Sequence, residues 1–232
     1  RKDGFHNIQS ILQPINLSDQ LTFKLKDELE IEFNSNSDCL NASDNLVTRA
    51  YNLLHEDFSF QHGLEITLHK NIPIGAGLGG GSSNAACTLI AIDRIFDLNI
   101  PRNQLILYAE KLGSDVPFFI YNHPMIVSGR GEKLKKVSLP RKFFVLILSD
   151  ISISTGDIFN CLNSTEYSRP VDDLLLISSS TNCFEPLVMR KYPQLLERKN
   201  WLSSFGKVRM SGTGSTLYIE FDSYESAREA DK

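Results

Sequence analysis

The chain has 232 residues, with 24 basic and 28 acidic side chains, a net charge of −4 and 41% hydrophobic residues. That length and apolar fraction suffice for a real core without disulfides or metal. With 13 basic and 16 acidic residues before Pro140 and 11 and 12 after it, no basic half or arm offers itself to nucleic acid, and every apolar run falls well short of the roughly 18 residues of a membrane span.

Ile8 to Leu17 and Gln20 to Leu25 read as strands joined by a turn at Asn16 to Asp19, where short polar residues favour turning. The alternation from Glu28 to Phe33 predicts a third, half-buried strand. Asn45 to Leu54 carries a helical apolar face, with Ser43 or Asp44 as its cap. Leu64 to Leu68 alternates as a strand and runs through Lys70-Asn71-Ile72 into a glycine cluster, from which Ser83 to Phe96 leaves as a helix. Pro101 to Leu112 is a second helix, opened by proline and stopped by Gly113. Beyond polar Lys133 to Arg141, Phe143 to Leu148 is an apolar strand, Gly156 to Cys161 a short helix, Met189 to Ser204 a longer one and Leu217 to Phe221 a strand. A boundary at Pro140 divides residues 1–139 from 140–232, two α+β halves.

Cys39, Cys87, Cys161 and Cys183 show no paired spacing; Cys87 and Cys183 sit among apolar or small neighbours, as buried free thiols do. With no leading signal peptide, a reducing cytoplasm is expected. His55, His62 and His69 recur every seven residues, but Gly63 and the strand after it break any helix, so zinc is set aside and no metal ligand is assigned. The chain opens on Arg1 rather than Met, so the sequence is expected to begin inside the natural protein.

Residues Pro73 to Ala86 read PIGAGLGGGSSNAA, with Gly75, Gly77, Gly79, Gly80 and Gly81 in seven positions. Such glycines let backbone N–H groups approach a ligand and permit positive φ. The helix leaving them aims its unpaired N–H groups and positive dipole end at the same place, a setting for polyphosphate. Gly75, Gly77 and Gly80 also fit a dinucleotide fingerprint, but the strand ending in an acid some ~20 residues on is missing. A P-loop fails because Gly81 stands where its lysine belongs.

The segment resembles the ATP-binding motif of the GHMP kinases, which include galactokinase, homoserine kinase and mevalonate kinase. Four more segments extend the resemblance in matching order: Arg1-Lys2-Asp3-Gly4-Phe5-His6, Leu112-Gly113-Ser114-Asp115-Val116-Pro117-Phe118-Phe119, Ile153-Ser154-Thr155-Gly156-Asp157-Ile158-Phe159 and Met210-Ser211-Gly212-Thr213-Gly214-Ser215. Asn182-Cys183-Phe184-Glu185-Pro186 fits a fifth, weaker one. The opening segment and LGSDVPFF point, within that family, to members acting on a cytidine diphosphate-linked methylerythritol in the non-mevalonate isoprenoid pathway.

The resemblance implies an α+β, two-domain GHMP-kinase fold with the active site in the interdomain cleft. It implies ATP held by Pro73, Ile74, Gly75, Ala76, Gly77, Leu78, Gly79, Gly80, Gly81, Ser82 and Ser83, with Mg²⁺ beside it; Ser82 or Ser83 either caps the helix or reaches the ion. Asp115, on its own sequence either a cap or a functional group, becomes the general base. Phe5 and Phe159 would sandwich the cytosine, His6 would bind its edge with help from Thr155, and Ser211, Gly212, Thr213 and Gly214 would close over substrate. A catalytic lysine and a substrate-binding asparagine would precede Arg1, and Lys2, Lys24 and Lys70 read as surface lysines. The expected assembly is a monomer or weak homodimer. Another GHMP kinase, a non-catalytic nucleotide-binding regulator and a dinucleotide-dependent oxidoreductase are the alternatives.

Overall fold

A computed structural model describes residues 6–40, 42–162, 169–179 and 181–231. The chain divides into two compact units: Arg1–Ile72 with Gly79–Val137, and Pro73–Leu78 with Ser138–Lys232. The first six residues of the glycine segment, placed by the sequence reading with residues 1–139, thus cluster with the second unit.

Among the described residues, the first unit holds two three-stranded sheets. In one, β4 (Gly63–His69) lies between antiparallel β2 (Gln20–Lys26) and parallel β3 (Glu32–Ser35). Alternation along β4 buries Leu64, Ile66 and Leu68, each contributing about 1.5–3 kcal/mol by burial. In the other sheet β5 (Met125–Gly129) lies between β1 (Ile8–Leu12) and β6 (Lys133–Lys136), antiparallel to both. Helices α1 (Leu46–Phe58), α2 (Gly80–Ile95), α3 (Arg102–Leu112) and α4 (Val116–Tyr121) complete the unit, and Ala50, Leu54, Ala85, Leu89, Ile92 and Val116 join Leu64 and Ile66 in one core.

Among the described residues, the second unit has one antiparallel sheet, with β9 (Leu217–Phe221) between β7 (Phe143–Ile147) and β8 (Val208–Met210). Its helices are α5 (Thr155–Cys161), α6 (Asp173–Ser179), α7 (Glu185–Lys191), α8 (Pro193–Leu202) and α9 (Tyr224–Ala230). Ile153, Ile158, Val188, Leu195, Leu217 and Ile219 form its core.

Several expectations shift. The third strand covers only Glu32–Ser35, because the stretch before it crosses Gly63 so closely that a Cβ there would lie 2.2 Å from the Glu30 carbonyl oxygen. The cap of α1 is Asn45 rather than Ser43 or Asp44: its Oδ1 accepts from the N–H groups of Val47 (2.9 Å) and Thr48 (3.1 Å), and Thr48 Oγ1 accepts from the Asn45 N–H. The expected helix from Met189 to Ser204 is two helices, because Pro193 has no N–H to continue the first. Cys87 is exposed rather than buried, since its position on α2 falls between the core-facing residues Ala86 and Thr88.

Candidate active site

Within the second unit, Pro73–Leu78 lies along the loop between β8 and β9. The Gly75 carbonyl accepts from Ile153 N (3.1 Å), the Ala76 carbonyl from Thr216 N (3.1 Å) and the Gly77 carbonyl from Ser211 Oγ (2.8 Å). Gly77 has φ +73°, and a Cβ on it would meet the carbonyl oxygens of Ser211 at 2.4 Å and Gly214 at 2.6 Å. Only glycine fits both the left-handed backbone and that approach. Ala76 is buried, while Ile74 is 42% exposed.

The facing loop is itself braced. Asn182 Nδ2 donates to the carbonyls of Met210 (2.9 Å) and Gly212 (2.7 Å), and Ser215 Oγ donates to the Ile151 carbonyl (2.5 Å). Thr155, at the start of α5, has its Oγ1 3.1 Å from Thr213 Oγ1. Phe159 is half-buried, its ring edge-on to Phe184 with centroids 4.9 Å apart. Ser211, Gly212, Thr213, Gly214 and Thr155 are thus brought together with Gly75 to Gly77.

Within the first unit, Gly79–Ser83 forms the start of α2. Gly79 is the N-cap, with φ +67° and no side chain to cap with. The Ser83 N–H bonds the Gly79 carbonyl at 2.9 Å. Those of Gly80, Gly81 and Ser82 find no backbone acceptor among the described residues. Three donors at the positive end of a helix of 16 residues are a fitting cradle for phosphate oxygens. The helix begins at Gly80, so neither Ser82 nor Ser83 is its cap: both lie in the first turn, in contrast to the capping alternative. Positive φ is confined to Gly75, Gly77 and Gly79 in this segment. Gly80 is instead crowded from behind, where a Cβ would lie 3.0 Å from Ile72 Cγ2 and 3.1 Å from Lys70 Nζ.

Asp115 occupies the N-cap position of α4, but its φ of −91° and ψ of −13° are helical and its side chain makes no capping bond. The carboxylate has no hydrogen bond or ion pair among the described residues. It stays accessible, yet partial desolvation pushes its pKa above the ordinary 3.8. One turn along, Phe119 packs on the glycine segment: a Cβ on Gly79 would meet Phe119 Cζ at 2.9 Å. The aspartate's short helix is thereby tied to the cradle.

Lys70 is not a surface lysine. Its side chain is 9% exposed and its ammonium pairs with Asp19, whose side chain is 1% exposed. Asp19 Oδ1 also accepts from the N–H groups of Asn71 and Ile72, both at 2.8 Å, and Oδ2 from Asn84 Nδ2 at 2.9 Å. Burial alone would raise the Asp19 pKa; the Ile72 N–H, the Lys70 ammonium, the Asn71 N–H and the Asn84 amide outweigh it and hold the carboxyl below 3.8. By sequence alone Asp19 reads as a turn residue. The one available signal was a lysine and an aspartate flanking strands that pair, Gln20 opposite His69. Lys24, by contrast, is exposed beside Glu65. His6 is half-buried ahead of β1, and Phe5 and Lys2 lie outside the described residues.

Residues 45–123 match the GHMP kinases N terminal domain and residues 169–231 the GHMP kinases C terminal domain. The chain is 36% identical to the 4-diphosphocytidyl-2-C-methyl-D-erythritol kinase of Shewanella woodyi over 232 residues, 99% of this chain and 82% of that protein. It is 34% identical to the kinase of the same name from Burkholderia cenocepacia over 241 residues, with the same coverages. A crystal structure of 4-(cytidine 5′-diphospho)-2C-methyl-D-erythritol kinase superposes with a TM-score of 0.85 at 28% identity, covering 99% of this chain and 87% of that one. The mevalonate kinase of Methanococcus jannaschii shares the fold, with a TM-score of 0.71 at 16% identity, covering 99% of this chain and 87% of that one. Glycine cradle, accessible aspartate and two α+β units are those of a GHMP kinase, an ATP-dependent phosphotransferase. Within that class the chain belongs to the 4-diphosphocytidyl-2-C-methyl-D-erythritol kinase family.

Proposed function

We propose that this chain transfers the γ-phosphoryl group of ATP to the 2-hydroxyl of 4-diphosphocytidyl-2-C-methyl-D-erythritol. The observation that carries the reading is the occurrence, within one unit, of N–H groups on Gly80, Gly81 and Ser82 and an accessible carboxylate at Asp115 that have no partner among the described residues. In this reading Pro73 to Ser83 receives the nucleotide, its N–H groups meeting phosphate oxygens. Asp115 takes the proton of the acceptor hydroxyl as that oxygen bonds to the γ-phosphorus. The bond from the γ-phosphorus to the bridging oxygen breaks, ADP leaves, and the proton passes from Asp115 to solvent.

A raised pKa, caused by desolvation, makes Asp115 a stronger base than an ordinary carboxylate. Such a base contributes ~10²–10⁴ in rate, positioning and charge stabilisation supplying the rest. Mg²⁺, when bound with ATP, neutralises charge on the β- and γ-phosphates. No cluster of three or more His, Cys, Asp or Glu side chains among the described residues makes an all-protein metal cage. Ser82 or Ser83, neither of which caps α2, would reach the Mg²⁺ ion. On the substrate side, Phe159 stacks on the cytosine, with Thr155 and Ser211 to Gly214 contacting the same substrate.

ADP release is measured with this substrate beside galactose, homoserine and mevalonate. Turnover of the cytidylyl substrate alone supports the reading, whereas preference for another alcohol, or no turnover, sinks it. Phe159→Ala should raise the KM for the cytidylyl substrate about 5- to 150-fold, the worth of one base–aromatic stack, with the KM for ATP unchanged. Equal KM values in wild type and variant would remove the stack.

A further inference from the structure

We propose that Asp19 is a positioning residue for the ATP cradle: its buried carboxylate ties the strand end that feeds the glycine segment to the helix that leaves it. This rests on the reading that ATP is held there. A run with five glycines in seven positions has few side chains to fix its own shape and loses much backbone freedom when ordered. Its ends must therefore be held from outside. Asp19 grips both.

Oδ1 takes the N–H groups of Asn71 and Ile72, the last two residues before Pro73. Oδ2 takes Asn84, on the second turn of α2, and the ammonium of Lys70. Lys70 Nζ in turn lies behind Gly80, the first residue of the helix, 3.1 Å from where a Cβ would stand. One carboxylate thus spans from the end of β4 to the beginning of α2. Because it is anionic and shielded from water, its bonds are charge-assisted and stronger than those of a neutral acceptor. The same field keeps the Lys70 ammonium at the start of α2, where it adds positive charge beside the three unsatisfied N–H groups.

Asp19→Asn separates the two ends. The amide oxygen still accepts from Asn71 and Ile72, while its NH₂ faces two donors, Asn84 and Lys70, and bonds neither. The expected result in the full chain is a KM for ATP, and an ATP dissociation constant measured without the second substrate, raised about tenfold, the order of one lost charge-assisted hydrogen bond. The kcat at saturating ATP and the KM for the cytidylyl substrate should stay within about threefold of wild type, a split that general loosening of the fold would not give.

The double variant Asp19→Asn/Lys70→Met removes both buried charges. It should recover the wild-type melting temperature and still bind ATP about tenfold more weakly. If ATP affinity returns with stability in the double variant, or if kcat and both KM values move together in the single one, Asp19 is only a structural ion pair and the proposal is wrong. Normal ATP affinity in Asp19→Asn likewise overturns it while leaving the assignment of the nucleotide site intact. A wild-type chain that does not bind ATP overturns that assignment instead.

Discussion

Asp19 and Asp115 belong to the same unit and are pushed in opposite directions. Asp19 has four donors on a side chain 1% exposed, and its pKa is held below 3.8 despite burial. Asp115 has no partner among the described residues, stands at the accessible start of a short helix, and is pushed above 3.8 by partial desolvation. A carboxylate whose lone pairs are all taken can only hold other groups in place. One with free lone pairs and a raised affinity for protons is available to a substrate. Partner count, more than burial, separates the two roles.

The sharpest way to break this contrast is Asp115→Asn. It should lower kcat by ~10²-fold or more, since an amide cannot take a proton, and should leave the ATP dissociation constant nearly unchanged. Turnover within about threefold of wild type would place Asp115 with Asp19, among residues that only hold structure.

Lys70→Met attacks the other side. It leaves Asp19 buried and anionic with only neutral donors, and breaking a buried pair in this way costs about 3 kcal/mol or more. Chemical denaturation measures it. A loss below about 0.5 kcal/mol, the scale of an exposed pair, would mean that the site is wetter than the structure shows.

A smaller effect distinguishes the two aspartates by pH. The folded-state pKa of Asp19 lies below its unfolded value, so its stabilisation is complete above that value and is lost as pH falls through the folded one. Asp115 has the opposite sign: its folded pKa is raised, so the folded state keeps its proton over a window in which the unfolded chain has lost it. Stability falls as pH rises through that window. In melts from pH 3 to 7, Asp115→Asn should therefore gain on wild type as pH rises, and Asp19→Asn should lose. Parallel curves for the two variants would erase the distinction. The acid limb of kcat/KM should likewise fall at a pH above 3.8.

Local pattern carried much of this protein. The alternation of Leu64 to Leu68, the apolar faces of α1 to α3, Gly113 after α3, the glycine segment and the place of Asp115 beside Val116-Pro117-Phe118-Phe119 were all legible, because each depends on residues within a few positions of one another. Tertiary structure decided the rest. Whether Glu28 to Phe33 would be a strand depended on how closely Gly63 lets another backbone pass. Whether Asp115 caps depended on a helical φ and ψ that no letter encodes. That Lys70 is buried, and that Asp19 lies 51 positions away in sequence and yet holds it, follows from strand pairing that puts Gln20 opposite His69. Desolvation and hydrogen-bond partnership are properties of the surroundings, assembled from segments far apart in the chain; a side chain's identity fixes what it can bond, and only the fold fixes what it does.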